Sequence, residues 1–500
     1  MKRIGLLLLL VSTPAAANVV SWDYIVAIDP VRGKADIELT VTGTNGRLGL
    51  CDDMRHTRKS LSRVVEIVGG KEERPLALDA DDEDCFASLA PVKEGIPRRF
   101  HYRVDLGDLA ERTGDPDWAS RFGESYVVSD MALLMRPEPK TETATVTVGF
   151  RLPKDIEIAT PWEELPHDAD QEAALTKAYD EYVHGRFEAA LEIAKNNVLR
   201  RYRYDLAQQD AGAYIAIGKL RTLGVLPIHG GTATVTLVDN PHQPSDAALL
   251  SWVKSALTIT ADFYGALPGG KVHLVLAPVR GESTPGVFGT ILHRGLPSVV
   301  LMFGANASDL SFPGEWMAVH ELFHLGNPLM TKRGSSWFVE GFATYYQDVL
   351  RARARLRDRV VMWSDLHEDF AAHCDPIDGR SLDEESQHIG ERHTYQRVYS
   401  GGACLAFRLD VAIRQHSEGK ASLDTVLAEM YQSKRVYSES EIIAALDAAA
   451  GTPLASEHLK STRPIPWSAL EKSLGIQPKS KDAVELKDDA PLSALRKSIF

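Results

Sequence analysis

His320 and His324 stand four residues apart, with Glu321 between them, in the run Glu315-Trp316-Met317-Ala318-Val319-His320-Glu321-Leu322-Phe323-His324-Leu325. On a helix such positions share a face, with Cβ atoms roughly 5–6 Å apart, so both imidazoles can reach one ion. Zn²⁺, about 2.0–2.1 Å from a ligating nitrogen, is the usual occupant of such a pair. Glu321 is rotated off the histidine line, which suits it to serve the attacking water rather than the metal. Sixteen residues after His324 comes Glu340, inside Trp337-Phe338-Val339-Glu340-Gly341-Phe342-Ala343-Thr344-Tyr345-Tyr346. A carboxylate from a second helix completes a two-His, one-Glu set and leaves a fourth position for water, as catalytic zinc requires. One zinc per chain is expected. The metzincin pattern would need Gly and then His where Asn327 and Met330 stand, so it is excluded. Two surface histidines on an ordinary helix would be the alternative if the five residues stood alone; Glu340 argues against it.

These side chains need elements to hold them. Pro313 suits a first helical turn, Trp316, Val319, Leu322 and Phe323 can cover apolar faces, and Gly326-Asn327-Pro328 stops the helix. From about 20 to 155 the pattern changes to period two. Ala35, Ile37, Leu39 and Val41 alternate with polar residues, as do Phe100, Tyr102, Val104 and Leu106, and Ala144, Val146, Val148, Phe150 and Leu152. Half-buried strands follow, and with them a β-sandwich-like domain. Residues 168–200 read as helix. Strands are expected at Ala233–Val238, Val272–Leu276, Ile291–Arg294 and Ser298–Phe303, with a helix over Ala247–Phe263. After Glu340 the chain reads as mostly helical to about 450, with a break near Asp375–Gly390. Arginines at 351, 353, 355, 357 and 359 distribute around a helix, so solvation is their expected state. His367 and His373 are six apart and face different directions, which removes them as a metal pair. The acids Asp79, Asp81, Asp82, Glu83 and Asp84 lack the glycine and final glutamate of a calcium loop and read as a solvated turn.

Five hundred residues with 44% apolar content allow two or three cored domains. A net charge of −13 argues against nucleic acid or an anionic membrane as the main partner. Met1-Lys2-Arg3, the apolar run Ile4–Val11 and Ala15-Ala16-Ala17 form a secretory signal peptide over 1–17, too short to span a bilayer. The mature chain is expected to be periplasmic or secreted, with no membrane span after cleavage. Four cysteines then meet an oxidising compartment. Proximity along the chain favours Cys51–Cys85 and Cys374–Cys404 among three possible pairings, with buried free thiols as the alternative.

With the ligands assigned, the run His320-Glu321-Leu322-Phe323-His324-Leu325…Asn327 followed by Trp337 to Tyr346 resembles the glycyl aminopeptidase family of gluzincin metallopeptidases, relatives of the aminopeptidase N group. Gly123-Glu124-Ser125, Ala159-Thr160-Pro161-Trp162, Tyr399-Ser400-Gly401-Gly402-Ala403, Leu409-Asp410…Ile413-Arg414 and Ser422-Leu423-Asp424 extend the likeness over roughly 20–475. The resemblance implies an α+β multidomain chain: signal peptide 1–17, β-sandwich-like domain 18–160, helical junction 161–225, thermolysin-like zinc domain with a small sheet 226–350, helical part 351–475, and a tail 476–500 with no PDZ domain. It implies zinc on His320, His324 and Glu340, Glu321 as general base and acid, and Tyr399 as donor to a tetrahedral oxyanion. Gly289, Leu292 and His293 would line the substrate cleft, and the partner would be a peptide or protein. In two places the chain departs from its relatives near the site. Leu292 stands where they carry the glutamate that holds a substrate's free amino group, so an endopeptidase, or a hydrolase of another amide or ester, stays open beside an aminopeptidase. Gly326 stands where an aromatic residue is common. A catalytically silent binding protein that kept the fold is the non-enzymatic alternative. The oligomeric state is not readable.

Overall fold

The computed structural model describes residues 19–500 except 44–47, 52–57, 70–71, 80–83, 88–95, 139–143, 167–172, 174–196, 205–211, 293–294, 331–334 and 466. The expected signal peptide, most of the expected helix over 168–200, most of the acidic cluster and His293 therefore lie outside the described residues. The chain divides into two compact units, 1–221 with 238–240 and 294–296, and the remainder.

In the first unit, alternation produces sheets. An eight-stranded sheet runs in the order Glu163–Glu164, Asn197–Tyr204, Thr145–Pro153, Val19–Asp29, Lys34–Gly43, Arg98–Asp105, Leu61–Val68, Glu72–Pro75. Val19–Asp29 and Thr145–Pro153 pair in parallel, while Lys34–Gly43 is antiparallel to both of its neighbours. Ala35, Ile37, Leu39, Val41, Phe100, Tyr102, Val104, Val146, Val148 and Phe150 are all buried in one core, with Tyr126, Val128, Ile215 and Ile217 from a four-stranded sheet. Two sheets burying one face each against a shared core is the sandwich that period-two patterning predicts. Cys51 and Cys85 sit opposite one another on adjacent strands and form a disulfide. Between 161 and 225 the described residues include the strands Glu163–Glu164, Asn197–Tyr204, Tyr214–Gly218 and the start of Leu220–Ile228, and Ala173 is helical.

The second unit carries a five-stranded sheet in the order Leu220–Ile228, Gly231–Val238, Lys271–Val279, Ser298–Gly304, Phe288–Leu292. Its inner pairs are parallel and Phe288–Leu292 returns antiparallel as the edge. The helix Asp246–Tyr264 starts at Ser245, whose hydroxyl accepts from the Ala248 amide at 3.2 Å, and ends at Gly265 in the left-handed conformation. It buries Leu249, Trp252, Val253, Ala256, Leu257, Thr260 and Tyr264, one stripe at helical spacing. The long helices Ser336–Arg353 and Tyr395–His416 pack against each other, with Arg359–His373, Leu423–Ser433 and Glu439–Ala450 around them. Cys374 is bonded to Cys404.

Arg355, Arg357 and Arg359 are exposed as expected, but two arginines of that run are not. Arg351 is buried: its guanidinium pairs with Asp348 and donates to the Gly314 carbonyl at 2.7 Å. Arg353 reaches Asp424 at 2.8 Å and the Ile499 carbonyl at 2.7 Å, so partners on other elements desolvate both arginines. Residues 476–500 carry secondary structure of their own. They form the hairpin Ile476–Ser480/Ala483–Leu486 and the helix Ser493–Ile499, and bury Ile476, Val484 and Ile499 in the unit's core. Among the described residues no helix is long and apolar enough to cross a membrane.

Candidate metal centre

The helix bearing the two histidines spans Met317–Phe323 and tightens into a 3-10 turn over His324–Gly326, shorter than the Glu315–Leu325 run suggested. Pro313 lies ahead of it. Glu315 sets its start instead, its carboxylate accepting the otherwise unpaired amides of Met317 (2.8 Å) and Ala318 (3.3 Å) and the Trp252 indole N–H (3.1 Å). Burial raises the Glu315 pKa, and those donors oppose the shift. Asn327 turns to extended backbone and ends the helix. Trp316 does not cover an apolar face: it is 48% exposed, edge-on to the His320 ring.

Glu340 comes from the helix Ser336–Arg353. Its Oε2 lies 3.3 Å from His320 Nε2 and 3.5 Å from His324 Nε2, and the three prospective ligand atoms all fall within 4.8 Å of one another. Bonds of about 2.0–2.1 Å in a tetrahedron give ligand-to-ligand edges of roughly 3.3–3.4 Å. The two separations from the Glu340 oxygen match that figure. The donor set suits zinc chemically as well, with two imidazoles and one carboxylate.

The rings are oriented from behind. His320 Nδ1 donates to the Gln347 side-chain carbonyl at 2.8 Å, which leaves Nε2 toward Glu340, to donate to it or to bind a metal. The Asn327 side-chain amide nitrogen lies 2.9 Å from His324 Nδ1 and holds the orientation of the second ring. Neither Gln347 nor Asn327 was singled out from the sequence as an orienting group. Gln347 lies seven residues after Glu340, two turns along the same helix face, which is the one signal that could have found it. Burial alone would favour a neutral Glu340. The charges of His324 and His320 and their hydrogen bonds outweigh it and hold the carboxyl far below its usual range. Burial likewise opposes a charged His320, but the Glu340 hydrogen bond and the Glu321 and Glu340 charges raise its pKa.

Glu321 is half-buried beside the edge strand Phe288–Leu292. A Cβ at Gly289 would overlap the Glu321 side chain, with Cδ at 2.8 Å, so the glycine leaves the room this carboxylate occupies. Tyr399 is in the first turns of the helix Tyr395–His416, and its ring lies roughly parallel to that of His320, 6.2 Å between centroids. Leu292 ends the edge strand, half-buried; His293 lies outside the described residues. The structure thus brings His320, His324, Glu340, Glu321, Tyr399 and Gly289 together. Gly326 also has an explanation: the Tyr264 ring fills the space a side chain there would need, and the Tyr264 hydroxyl donates to the Phe323 carbonyl at 3.0 Å.

No protein-family model and no curated relative matches the sequence. Solved structures do. An aminopeptidase N family protein from Idiomarina loihiensis superimposes with a TM-score of 0.71 at 15% identity, over 91% of this chain and 78% of that one. The chain has the fold of the gluzincin aminopeptidases. An M1 zinc metallopeptidase from Deinococcus radiodurans gives a TM-score of 0.52 at 15% identity, covering 90% of this chain and 96% of the other. A variant of the Deinococcus protein, solved with a Tyr-Ser-Ala substrate, is similar at a TM-score of 0.52 and 13% identity, over 90% of this chain and 95% of that one. The mixed α+β architecture, with sheets first and helices after, is common to this group and to the present chain.

Proposed function

We propose that the chain is an exported zinc-dependent metallopeptidase acting as an aminopeptidase. The observation that carries this reading is the convergence of ligand atoms of His320, His324 and Glu340 within 4.8 Å of one another, the Glu340 oxygen at tetrahedral spacing from both Nε2 atoms, with Glu321 beside them. The fold shared with zinc aminopeptidases adds support. Zinc held by these three residues would supply a Lewis acid that acidifies water to a pKa of about 7 and polarises the scissile carbonyl. Glu321 takes the proton from the attacking water and returns it to the leaving nitrogen, a transfer that contributes about 10²–10⁴-fold. The Tyr399 hydroxyl donates to the oxygen that gains charge as the carbonyl becomes tetrahedral. Gly289 keeps Glu321 in place by leaving it room.

Glu321→Gln tests the assignment. It should retain zinc and lose turnover by about 10²–10⁴-fold; peptide hydrolysis at the parental rate would remove Glu321 as the base. His324→Ala should lose the metal, and full zinc content by elemental analysis would contradict the ligand set. A protein that binds zinc and peptide but never turns over would be the silent form of the fold. A second reading, cleavage within peptides, is favoured by one residue: Leu292 presents an aliphatic side chain where a carboxylate would grip a free ammonium. Free and N-acetylated forms of one peptide separate the two, because an aminopeptidase leaves the blocked form intact.

A further inference from the structure

Trp316 has helical dihedrals (φ −89°, ψ −35°) and precedes His320 and His324 by four and eight residues, so it shares the helix face that carries the two imidazoles. Its ring stands at 88° to that of His320, with 5.8 Å between centroids. The side chain is nevertheless 48% exposed. A tryptophan is highly buried on average, and this one is left open one turn from a prospective metal ligand.

The edge strand Phe288–Leu292 fixes which end of the cleft this is. A Cβ at Gly289 would meet the Glu321 side chain, whereas one at Gly286 would meet the Glu315 carboxylate and lie 3.1 Å from Met317 Cβ. Three extended residues cover roughly 10 Å and six helical ones about 9 Å. Strand and helix therefore run side by side in the same direction. Glu321 stands level with Gly289, Leu292 lies toward one end, and Gly286, Val287 and Trp316 lie toward the other. Val287 is open as well, at 37%. The outer edge of Phe288–Leu292 pairs with no strand among the described residues. An extended peptide can add there, and antiparallel pairing is the more stable arrangement. Its amino end then lies toward Leu292 and its carboxyl end toward Trp316.

We propose that the open face of Trp316 receives the side chain of the residue following the scissile bond and selects an aromatic one there. The assignment rests on the peptidase reading given above and deepens it. The indole offers a broad apolar face on a side chain already set against His320, so an aromatic ring stacked on it sheds water at little cost in protein ordering. An alanine at that substrate position leaves the face wet.

The peptides Ala-Xaa-Ala-Ala, with Xaa as Ala, Leu or Phe, test this on the full mature protein, free and N-acetylated so that both modes of cleavage are covered. For the Ala–Xaa bond, kcat/KM should be about 10-fold higher with Phe than with Ala, and Leu should fall between. Trp316→Phe should keep the preference, and Trp316→Ala should abolish it at unchanged zinc content. Equal rates across the parent's series overturn the proposal and leave the peptidase reading standing. A Trp316→Ala variant slowed by one factor on all three peptides also overturns it, since that marks a purely structural tryptophan. If the parent cuts none of them, the peptidase reading fails and calorimetry decides on Trp316. Ala-Phe-Ala-Ala should then bind more tightly than Ala-Ala-Ala-Ala, with the difference erased in Trp316→Ala; equal affinities overturn the proposal. Should Trp316→Ala lose zinc or fail to fold, Trp316→Leu, apolar but without a ring face, carries the same comparison.

Discussion

His320 can bind a metal through Nε2 only while Nδ1 holds the proton, and the Gln347 side-chain carbonyl accepts the hydrogen bond from that Nδ1–H. Gln347→Ala should weaken zinc retention about 10–100-fold, measured by competition with a chelator; retention equal to the parent would show that the ring needs no such guide. Tyr399→Phe removes one donor to the oxyanion while leaving the ring beside His320. It should lower kcat by about 10²–10³, with KM and zinc content nearly unchanged; a loss confined to KM would make Tyr399 a substrate contact only. At this scale the sequence was most legible where chemistry is local. Two histidines at i and i+4 and a following glutamate declare themselves by spacing. Asn327 and Arg351 did not, because what they do is set by partners that folding brings to them, and a charge pattern cannot distinguish a solvated arginine from one that meets Asp348 and a buried carbonyl.

Between elements, the site depends on how closely two helices approach. A Cβ at Gly402 would overlap the Trp337 carbonyl and lie 2.8 Å from Gly341 Cα, and one at Gly341 would overlap Gly402 in turn. Glycine against glycine lets Ser336–Arg353 and Tyr395–His416 touch backbone to backbone, with Glu340 one residue from the contact on one helix and Tyr399 three residues from it on the other. Polar ties add to this: Tyr345 donates to Asp410 on the facing helix (3.0 Å), and Tyr346 to Asp424 on Leu423–Ser433 (2.7 Å). Gly402→Ala should therefore cost about 1–3 kcal/mol of stability by overpacking and reduce kcat by moving Tyr399 away from the metal centre. Chemical denaturation and steady-state kinetics would check both, and an alanine variant with parental stability would show that the helices have room to spare. The strands and the two long helices were readable from periodicity. The Gly-Gly pair was visible as letters, but its meaning was not, since a close crossing involves residues sixty-one positions apart.

For the whole molecule, the buried acids give stability a direction in pH. Burial pushes Glu471 up to about 8 and is the larger cause lifting Asp348 to about 6. Glu471, 3% exposed, lies 3.0 Å from His367 Nδ1, and the His367 pKa is lowered by its own burial. The pair is thus a neutral carboxyl donating to a neutral imidazole, which ties Trp467–Leu474 to Arg359–His373. A carboxyl whose folded pKa exceeds its unfolded value holds a proton that the unfolded chain releases. Its contribution is complete below the unfolded pKa of about 4.3 and is lost as pH rises toward 8. The net charge of −13 acts in the same direction, since each further ionisation adds to self-repulsion. Glu471→Gln keeps a donor for His367 and removes the titration. Parent and variant should unfold alike near pH 4.5, whereas by pH 9 the variant should be the more stable by about 5 kcal/mol. Urea midpoints across that range measure it, and parallel curves for the two proteins would mean that the folded chain holds no proton at Glu471.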